Sequence, residues 1–267
     1  MGLLFAAFRE GSCSLCGSTQ NLTGEHKIKA SALRSEFGPD SMMIGRFGEP
    51  NENMKLAQGV KSEIFHFASQ LCAPCNNSRS QAADREFDRF HTIARDLMAK
   101  GEDPNHVFNN ARYAVTSEAY LNVFRYFAKL LCCHLADVGA PRPVHMSRFA
   151  LGQVNTNCVW LDVNHDWTYQ QTSVEFGPHK YAAHGGLAIY GDAKTGGANA
   201  FHSTLTVGSL RYVFYSRLNW FERLELRLAH RNFYEFCREQ VQKSIDRPLS
   251  QEDYLRLGLT AKQPTEK

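Results

Sequence analysis

The sequence predicts an α+β fold in which a small lobe held together by a metal precedes helices and an antiparallel sheet. Two Cys-x-x-Cys pairs lie within residues 9–80, a region rich in Gly, Ser, Asn and Met with little helical periodicity. Segments with helical period follow, and then short strand-like runs separated by turn residues. We expect the lobe to cover residues 1–100 and an α+β body to cover residues 101–267.

The composition is that of an ordinary folded protein. Of the 267 residues, 43% are hydrophobic, 12% aromatic and 21% charged, which excludes a disordered or fibrous chain. The formal net charge of +3 excludes a uniformly basic protein that coats nucleic acid, although a local basic groove is compatible with it. The apolar start MGLLFAAF is too short for a signal segment, and no later run reaches membrane-spanning length. We therefore expect a soluble, cytoplasmic protein without a membrane partner.

The cysteines divide into two groups by their spacing. Cytosolic thiols stay reduced and pair with metals, so the two Cys-x-x-Cys pairs indicate a metal site. Four thiolates are the number that a closed tetrahedral structural zinc site requires. The predicted ligands are Cys13, Cys16, Cys72 and Cys75, and the cysteines expected in the core are Cys132, Cys133, Cys158 and Cys237. Because residues 17–71 separate the two pairs, this segment must itself fold beside the metal.

Three segments have the period of amphipathic helices. They are residues 79–101, 116–138 and 220–243, and a Gly-Ala-Pro sequence at 139–141 ends the second. The first two helices fit either the lobe or the body, which leaves the boundary between the two units open.

Strands are predicted after the second helix. The runs at 158–163, 168–176, 186–190 and 204–215 are separated by Asn-His-Asp, Gly-Pro and Gly-Gly turns. An antiparallel sheet is the simplest arrangement for these runs.

Two further motifs lie beside the cysteine pairs. The sequence CSLCGSTQNLTGEHKIKASAL places Glu25-His26 after the first pair, and LCAPCNNSRS places Asn76-Asn77 after the second. This combination resembles the HNH endonucleases. In that family a ββα unit carries an acidic residue or His followed by a His on its first strand, then a His or Asn at the start of the helix. Many members also carry a Cys-x-x-Cys/Cys-x-x-Cys zinc site, and the resemblance covers roughly residues 13–85.

These residue types suit phosphodiester hydrolysis. A nuclease needs a base to make the nucleophile and a cation to neutralise the charge that builds up on the phosphate and the leaving oxygen. His26 is the candidate base, because an imidazole with an unperturbed pKa of about 6.5 is substantially neutral at pH 7. Glu25 is the candidate ligand for a hard cation, Mg²⁺ or Mn²⁺.

The residues after the second cysteine pair complete the predicted site. Asn76 or Asn77 is expected to supply a further ligand to the cation, the other capping the helix. Asn76 is favoured because it begins an Asn-x-x-Arg-Ser run that resembles the family's Asn-x-x-Lys-Gly. Arg79 and Ser80 are expected on the first turns of the helix, where they are candidates for contact with a phosphate.

Together these features predict a metal-dependent endonuclease that acts on DNA, double-stranded DNA being favoured. The resemblance implies a restriction-type, phage or mobile-element, or defence-effector nuclease, acting as a homodimer or as a subunit under partner control. The alternative is a zinc-stapled module that binds nucleic acid or a partner without catalysis, its contacts made by residues 101–267. Glu25 and His26 discriminate between the two, because binding alone requires neither a base nor a ligand for a hard metal.

The segment between the cysteine pairs leaves one family residue unassigned. The central Asn or His that orients the catalytic His corresponds to either Asn53 or His66. Residues 37–61 look like a long inserted loop, which either contacts the substrate or is an idle surface loop.

The second half of the chain contains further polar sets whose roles stay open. Three histidines in the sheet region form either a second site or ordinary surface and packing positions, and three arginines spaced by four share a helical face for duplex contact or solvation. These residues are His179, His184 and His202, and Arg223, Arg227 and Arg231. No alternating aromatic and basic stripe of the kind that marks a single-strand binding platform is visible in the sequence.

Overall fold

The computed structural model describes residues 3–38, 42–46, 55–57, 59–166, 181–192 and 194–246, and these form a mixed α+β fold. The predicted strand at 168–176, Asn53 and His179 lie outside the described residues. Among the helices of the described part of the chain, none is long and apolar enough to cross a membrane.

The elements are named here in chain order. They are β1 (Phe5–Ala6), β2 (Leu22–His26), α1 (Ala30–Phe37), β3 (Met42–Arg46), β4 (Lys55–Ala57), β5 (His66–Cys72), α2 (Ala73–Asn76), α3 (Gln81–Ala99), α4 (Glu118–Asp137), β6 (Arg142–Pro143), α5 (Val144–Ala150), β7 (Trp160–His165), β8 (Tyr181–His184), β9 (Ala188–Gly191), β10 (Ala198–Val207), β11 (Leu210–Arg217), α6 (Trp220–Ala229) and α7 (Arg231–Asp246). Short 3₁₀ turns lie at Glu63–Phe65, Pro104–Asn109 and Ala111–Tyr113.

A seven-stranded sheet forms one layer of the protein. Its strand order is β4-β3-β8-β10-β11-β7, and β9 also pairs with β10. The strands are antiparallel, as expected, except that β3 and β8 are parallel. Two smaller sheets pair β1 with β6 and β2 with β5. The second of these small sheets carries the candidate site.

The core lies between the inner face of the large sheet and helices α3 and α4. Residues of β11 alternate between buried and partly exposed, with Tyr212 and Phe214 on the buried side. The Tyr212 ring packs against Phe87 of α3 and Phe127 of α4, with ring centroids 5.5 and 5.6 Å apart. Its hydroxyl lies 2.7 Å from Nδ1 of His91, so this buried polar group has a partner.

The second group of cysteines belongs to this core, as predicted. Cys132, Cys133 and Cys237 are buried, and Cys158 is half-buried. Burial raises the pKa of Cys132 to about 12, so this thiol stays protonated at neutral pH. These side chains therefore act as small apolar groups.

Two of the three predicted helices are confirmed as α3 and α4. Helix α4 begins where the Ser117 side chain accepts a hydrogen bond of 3.1 Å from the backbone N–H of Tyr120. It ends before Gly139, whose φ of 71° lies in the left-handed region that favours glycine. Cap residues at both ends thus set its length.

The single helix predicted over residues 220–243 is wrong, because helices α6 and α7 are separated at His230. The backbone of His230 has φ −128° and ψ 50°, which is not helical. Apolar residues keep the helical spacing across this break, so periodicity alone does not reveal it. Arg223 and Arg227 lie on α6 whereas Arg231 begins α7, and the three arginines do not share one helix as predicted.

The single strand predicted over residues 204–215 is also wrong, because β10 and β11 form a hairpin. Val207 pairs with Leu210 across a two-residue turn, Gly208-Ser209, in which Gly208 has φ 59°. The apolar residues on both sides of the turn hide it from a periodicity argument. The predicted runs at 158–163 and 186–190 correspond to β7 and β9.

The segment expected as a long inserted loop contains regular structure. Residues 42–46 and 55–57 are the antiparallel strands β3 and β4, and the Met43–Tyr181 pair is part of a parallel ladder between β3 and β8. β4 is one edge strand of the large sheet, and β7 is the strand at the opposite end of the order. The segment between the two cysteine pairs is therefore joined by backbone pairing to strands of the second half of the chain.

Candidate functional site

The predicted zinc ligands converge where the first knuckle meets the end of β5. The knuckle is closed by hydrogen bonds from the Cys13 N–H to the Ser18 carbonyl, 2.8 Å, and from the Gly17 N–H to the Cys13 carbonyl, 2.9 Å. Gly17 has φ 76°, a conformation that glycine adopts without strain. A hydrogen bond of 3.0 Å from the Ser14 N–H to the Gln70 carbonyl fixes the knuckle against β5, just before the second cysteine pair.

The geometry and chemistry of the four sulfurs fit a zinc ion. The four Sγ atoms lie within 4.8 Å of one another, and those of Cys16 and Cys72 are 3.6 Å apart. Sulfurs about 2.3 Å from a tetrahedral zinc stand about 3.8 Å apart, which is the same scale. A hydrogen bond from the Cys75 thiol lowers the pKa of Cys13 to about 4, so one ligand is already inclined to be a thiolate. Cys13, Cys16, Cys72 and Cys75 would hold a structural zinc.

His26 lies beside His66 at the end of the β2–β5 pair. The two residues are partners across the sheet, and their ring centroids are 4.0 Å apart. The pairing register shifts between Gly24 and His26, which marks an irregularity in the ladder at this point. A Cβ at Gly24 would lie 3.2 Å from Nδ1 of His66, so the glycine leaves room for that ring. Of the two residues considered for the family's central position, His66 is thus adjacent to His26.

His26 is a neutral imidazole at pH 7. Burial lowers its pKa to about 4, and electrostatic repulsion from the nearby Arg34 and Lys129 adds to the effect. A half-buried ring that remains unprotonated is able to accept a proton.

Glu25 is buried in an ion cluster with a residue of the second half of the chain. Its Oε1 lies 3.1 Å from Nζ of Lys129 on α4, and the same ammonium lies 2.6 Å from Oδ1 of Asp84 on α3. Burial raises the pKa of Glu25, and the ammonium opposes that shift. Burial alone would lower the pKa of Lys129, but the two carboxylates outweigh it and raise that pKa. The carboxylate predicted to bind a cation therefore already has a cationic neighbour.

Sequence reasoning missed Lys129. It lies within the apolar run Tyr126-Phe127-Ala128-Lys129-Leu130-Leu131 and is only 1% exposed. A lysine is almost never fully buried unless it is paired, so its position in this run was a signal of an acidic partner. The sequence does not reveal which acids pair with it, because that depends on the packing of α3 and α4 on β2.

Asn76 is held against β2 directly beside Glu25. Its Nδ2 donates to Oγ1 of Thr23 at 3.0 Å and to the carbonyl oxygen of Gly24 at 2.9 Å. The amide nitrogen is thus used in binding the strand, and the amide oxygen is the remaining ligand atom. Asn77 is exposed and ends the short helix α2, its N–H donating to the Ala73 carbonyl at 2.9 Å.

Arg79 and Ser80 differ in exposure. Both precede α3, which begins at Gln81, so neither lies within the first turn as expected. Arg79 is exposed. Ser80 is fully buried, and its hydroxyl lies 3.2 Å from both the Asn76 carbonyl oxygen and Oδ2 of Asp84. Ser80 therefore links Asn76, at the end of α2, to Asp84 of the ion cluster.

The Lys129 cluster gives a stability prediction. Lys129→Met removes the ammonium shared by the buried Glu25 and the half-buried Asp84, so we expect a loss of about 3 kcal/mol in the free energy of unfolding. Urea unfolding of the two proteins measures it. The matched control is Lys100→Met, an exposed lysine at the end of α3, for which a change within about 0.5 kcal/mol is expected. A Lys129→Met protein as stable as the control would show that the cluster does not stabilise the fold.

The histidines of the sheet do not form a metal cluster within the described ranges. There, the four cysteines are the only group of three or more His, Cys, Asp or Glu side chains with donor atoms within 4.8 Å of one another. His184 and His202 lie on β8 and β10.

Comparison with known proteins gives no family assignment. No protein-family model, no curated protein and no solved structure matches this chain. Its function is therefore inferred from the side chains themselves.

Proposed function

We propose that the protein is a metal-dependent endonuclease of the HNH type that hydrolyses phosphodiester bonds in DNA. The observation that carries the proposal is the arrangement of side chains along the β2–β5 pair. His26 lies against His66 at one end of the pair, and Asn76 is hydrogen-bonded to β2 at Thr23 and Gly24. The four-cysteine cluster lies at the other end, where Leu22 pairs with Cys72. β2 and β5 pair and α3 follows them, with α1, β3 and β4 inserted between the strands and α2 before α3. This strand–strand–helix sequence supports the ββα unit that the resemblance implies. These features support a nuclease site and a zinc that acts as a scaffold.

The surroundings of His26 support its role as the general base. Its ring lies directly against His66 and is neutral at pH 7, the form that takes a proton from water. The same burial that lowers its pKa also makes it a weaker base than a solvent-exposed imidazole, so the support for its role is its position. The adjacent His66 ring restricts the orientation of His26, which is the task that the family gives to its central residue. In this mechanism His26 removes a proton from the attacking water and His66 is a positioning residue.

Glu25 and Asn76 are the proposed ligands of Mg²⁺ or Mn²⁺, with Asn77 as the alternative amide. When bound, such a cation neutralises negative charge on the phosphate and the leaving oxygen. Glu25 and Asp84 carry two negative charges against one positive charge on Lys129, so the cluster retains an excess of negative charge that favours a cation. Arg79, exposed beside Asn76, is the proposed contact for a substrate phosphate. The buried hydroxyl of Ser80 donates to the carbonyl oxygen of Asn76 and so stabilises the position of this residue.

Double-stranded DNA is the proposed substrate, and the chain acts as a homodimer or as a subunit under partner control. The second half of the chain, residues 101–267, contributes directly to the site through Lys129, which pairs with Glu25. A restriction-type, mobile-element or defence role is compatible with this arrangement.

One observation favours the second candidate, a zinc-stapled binding module without catalysis. The ion pair of Glu25 with Lys129 occupies a carboxylate oxygen that a catalytic cation would use. In a binding module this pair would be purely structural, and the chain would bind DNA without cleaving it.

Incubation with supercoiled plasmid tests the proposal. The purified protein with added Mg²⁺ or Mn²⁺ is expected to convert supercoiled plasmid to the nicked form, and EDTA in excess of the cation is expected to stop the reaction. Agarose gel electrophoresis follows the conversion. Failure to cleave supercoiled, linear duplex and single-stranded DNA with either cation would reject the nuclease and favour the binding module.

A further inference from the structure

Four ring side chains form a continuous row across the outer face of the large sheet. We call them the aromatic row: Trp160 on β7, Tyr215 on β11, His202 on β10 and Tyr190 on β9. Tyr215 is the direct cross-strand partner of both Trp160 and His202. The successive ring centroids are 5.5, 6.5 and 5.2 Å apart, and the Trp160 and Tyr215 planes are within 10° of parallel.

The row faces away from the core. Its sequence neighbours on the same strands are buried, namely Leu161, Phe214, Phe201 and Ile189. Trp160 is 44% exposed and Tyr190 is 57% exposed, at the two ends of the row. Because side chains alternate along a strand, the row lies on the face opposite these neighbours, which pack on the helices. Tyr215 and His202 in the middle of the row are half-buried, and the two end rings are exposed. Packing between the sheet and the helices therefore does not account for Trp160 and Tyr190.

A cation lies at one end of the row. The Cζ of Arg217 lies 5.5 Å from the Trp160 ring centroid and 5.7 Å from that of Tyr215. Asp162, the next outward residue along β7, is an exposed acid on the same face. Burial lowers the pKa of His202 to about 4, and Arg211 contributes, so this ring is uncharged at pH 7. The row thus combines flat neutral rings with one guanidinium.

We propose that the aromatic row binds single-stranded nucleic acid, with bases stacking on the Trp160 and Tyr190 rings and Arg217 contacting the backbone. Sheets that present aromatic rings across neighbouring strands stack two or three bases, and such stacking tolerates any base sequence. The outward residues that follow Trp160 along β7 are the polar Asp162 and Asn164, and the outward residue of β11 opposite Asp162 is the half-buried Val213. The exposed surface beside Trp160 is therefore polar rather than the apolar core of a protein interface.

Long-range register explains why the sequence does not display this row. Its members come from four strands, and no single segment alternates aromatic and basic residues. The proposal does not depend on cleavage, because base stacking requires neither His26 nor a catalytic cation. It adds a nucleic-acid surface on the second half of the chain.

Fluorescence anisotropy with labelled twelve-nucleotide oligonucleotides tests the proposal on the full chain without added divalent cation. The wild type is expected to bind oligo(dT), oligo(rU) or both, and each of Trp160→Ala and Tyr190→Ala is expected to weaken binding by about tenfold. Trp160→Phe keeps a ring and is expected to retain most of the affinity. The control is Trp220→Ala, which removes a 59% exposed tryptophan on α6 and is expected to leave binding unchanged.

The two oligonucleotides distinguish DNA from RNA, and either one supports stacking. The proposal is overturned if the wild type binds neither oligonucleotide, or if Trp160→Ala and Tyr190→Ala, shown to be folded by circular dichroism, bind as tightly as the wild type. It is equally overturned if unlabelled duplex competes as well as single strand of the same length. If the protein binds single strands through these rings but cleaves none of the three forms of DNA, this proposal stands and the nuclease is rejected. If it cleaves DNA but the two substitutions leave single-strand binding unchanged, the nuclease stands and this proposal is rejected.

Discussion

Removal of the metal from the four-cysteine cluster is expected to unfold the region around β2 and β5. Structural zinc contributes about 10–16 kcal/mol in small zinc domains at pH 7, whereas a whole protein is stable by only about 5–15 kcal/mol. The cluster joins the knuckle at Cys13 and Cys16 to the end of β5 across the long segment 17–71. Without the metal, only hydrogen bonds such as that from the Ser14 N–H to the Gln70 carbonyl hold these two ends together, so the knuckle and the end of β5 would separate more easily.

Metal analysis and thermal unfolding measure this effect. The purified protein is expected to contain one tightly held zinc per chain, and Cys72→Ser is expected to lose the zinc and to lower the unfolding midpoint by more than about 10 °C. Cys237→Ala is the matched control, since it removes a buried cysteine of the core outside the cluster. This control should retain zinc and lose only about 1 kcal/mol. A zinc-free protein with the wild-type midpoint would contradict the assignment of the cluster.

Local patterns allowed part of this architecture to be predicted. Helices α3 and α4 carry continuous apolar periodicity, and Ser117 and Gly139 mark the ends of α4. The cysteine cluster follows from spacing, since two Cys-x-x-Cys pairs supply the four thiolates of a structural zinc site. The helix signals are local, and each cysteine pair is a local motif whose number of thiols predicts the shared site.

Two local breaks and two sets of long-range contacts were not predictable in the same way. The turn at Gly208-Ser209 and the break at His230 interrupt runs whose apolar spacing continues, so periodicity merges two elements into one. The Glu25–Lys129 ion pair joins residues from β2 and α4, and nothing local to either one specifies the other. The aromatic row likewise exists only once the register of β7, β9, β10 and β11 is known.

These differences change the interpretation of the candidate site. Sequence reasoning treats Glu25 and His26 as a pair serving one substrate, but the structure places Glu25 inside the protein and His26 beside His66. Glu25 is held in place by its ion pair with Lys129, whereas the position of His26 is set by its contact with His66. A substitution of His26 is the cleaner test of catalysis, because it leaves the Lys129 cluster intact.

His26→Ala is expected to reduce plasmid nicking by about 10²–10⁴-fold, the range typical for loss of a general base. The ring is half-buried and its neighbour His66 belongs to the adjacent strand, so its removal should cost little stability and leave the zinc in place. Initial rates of nicking with Mg²⁺ or Mn²⁺, together with zinc content and the unfolding midpoint, separate the two effects. His106→Ala, an exposed histidine of the 3₁₀ turn Pro104–Asn109, is the control and should nick at the wild-type rate.

Added imidazole distinguishes a missing base from a disturbed structure. If His26 removes the proton from water, imidazole in solution should partly restore nicking by His26→Ala, because it supplies the same base to the space that the ring vacates. His66→Asn retains a polar group beside His26 and should lose less activity than His26→Ala does, as befits a positioning residue. Wild-type nicking by a folded, zinc-containing His26→Ala protein would remove His26 from the mechanism, and the cleavage chemistry would then have to lie elsewhere in the chain.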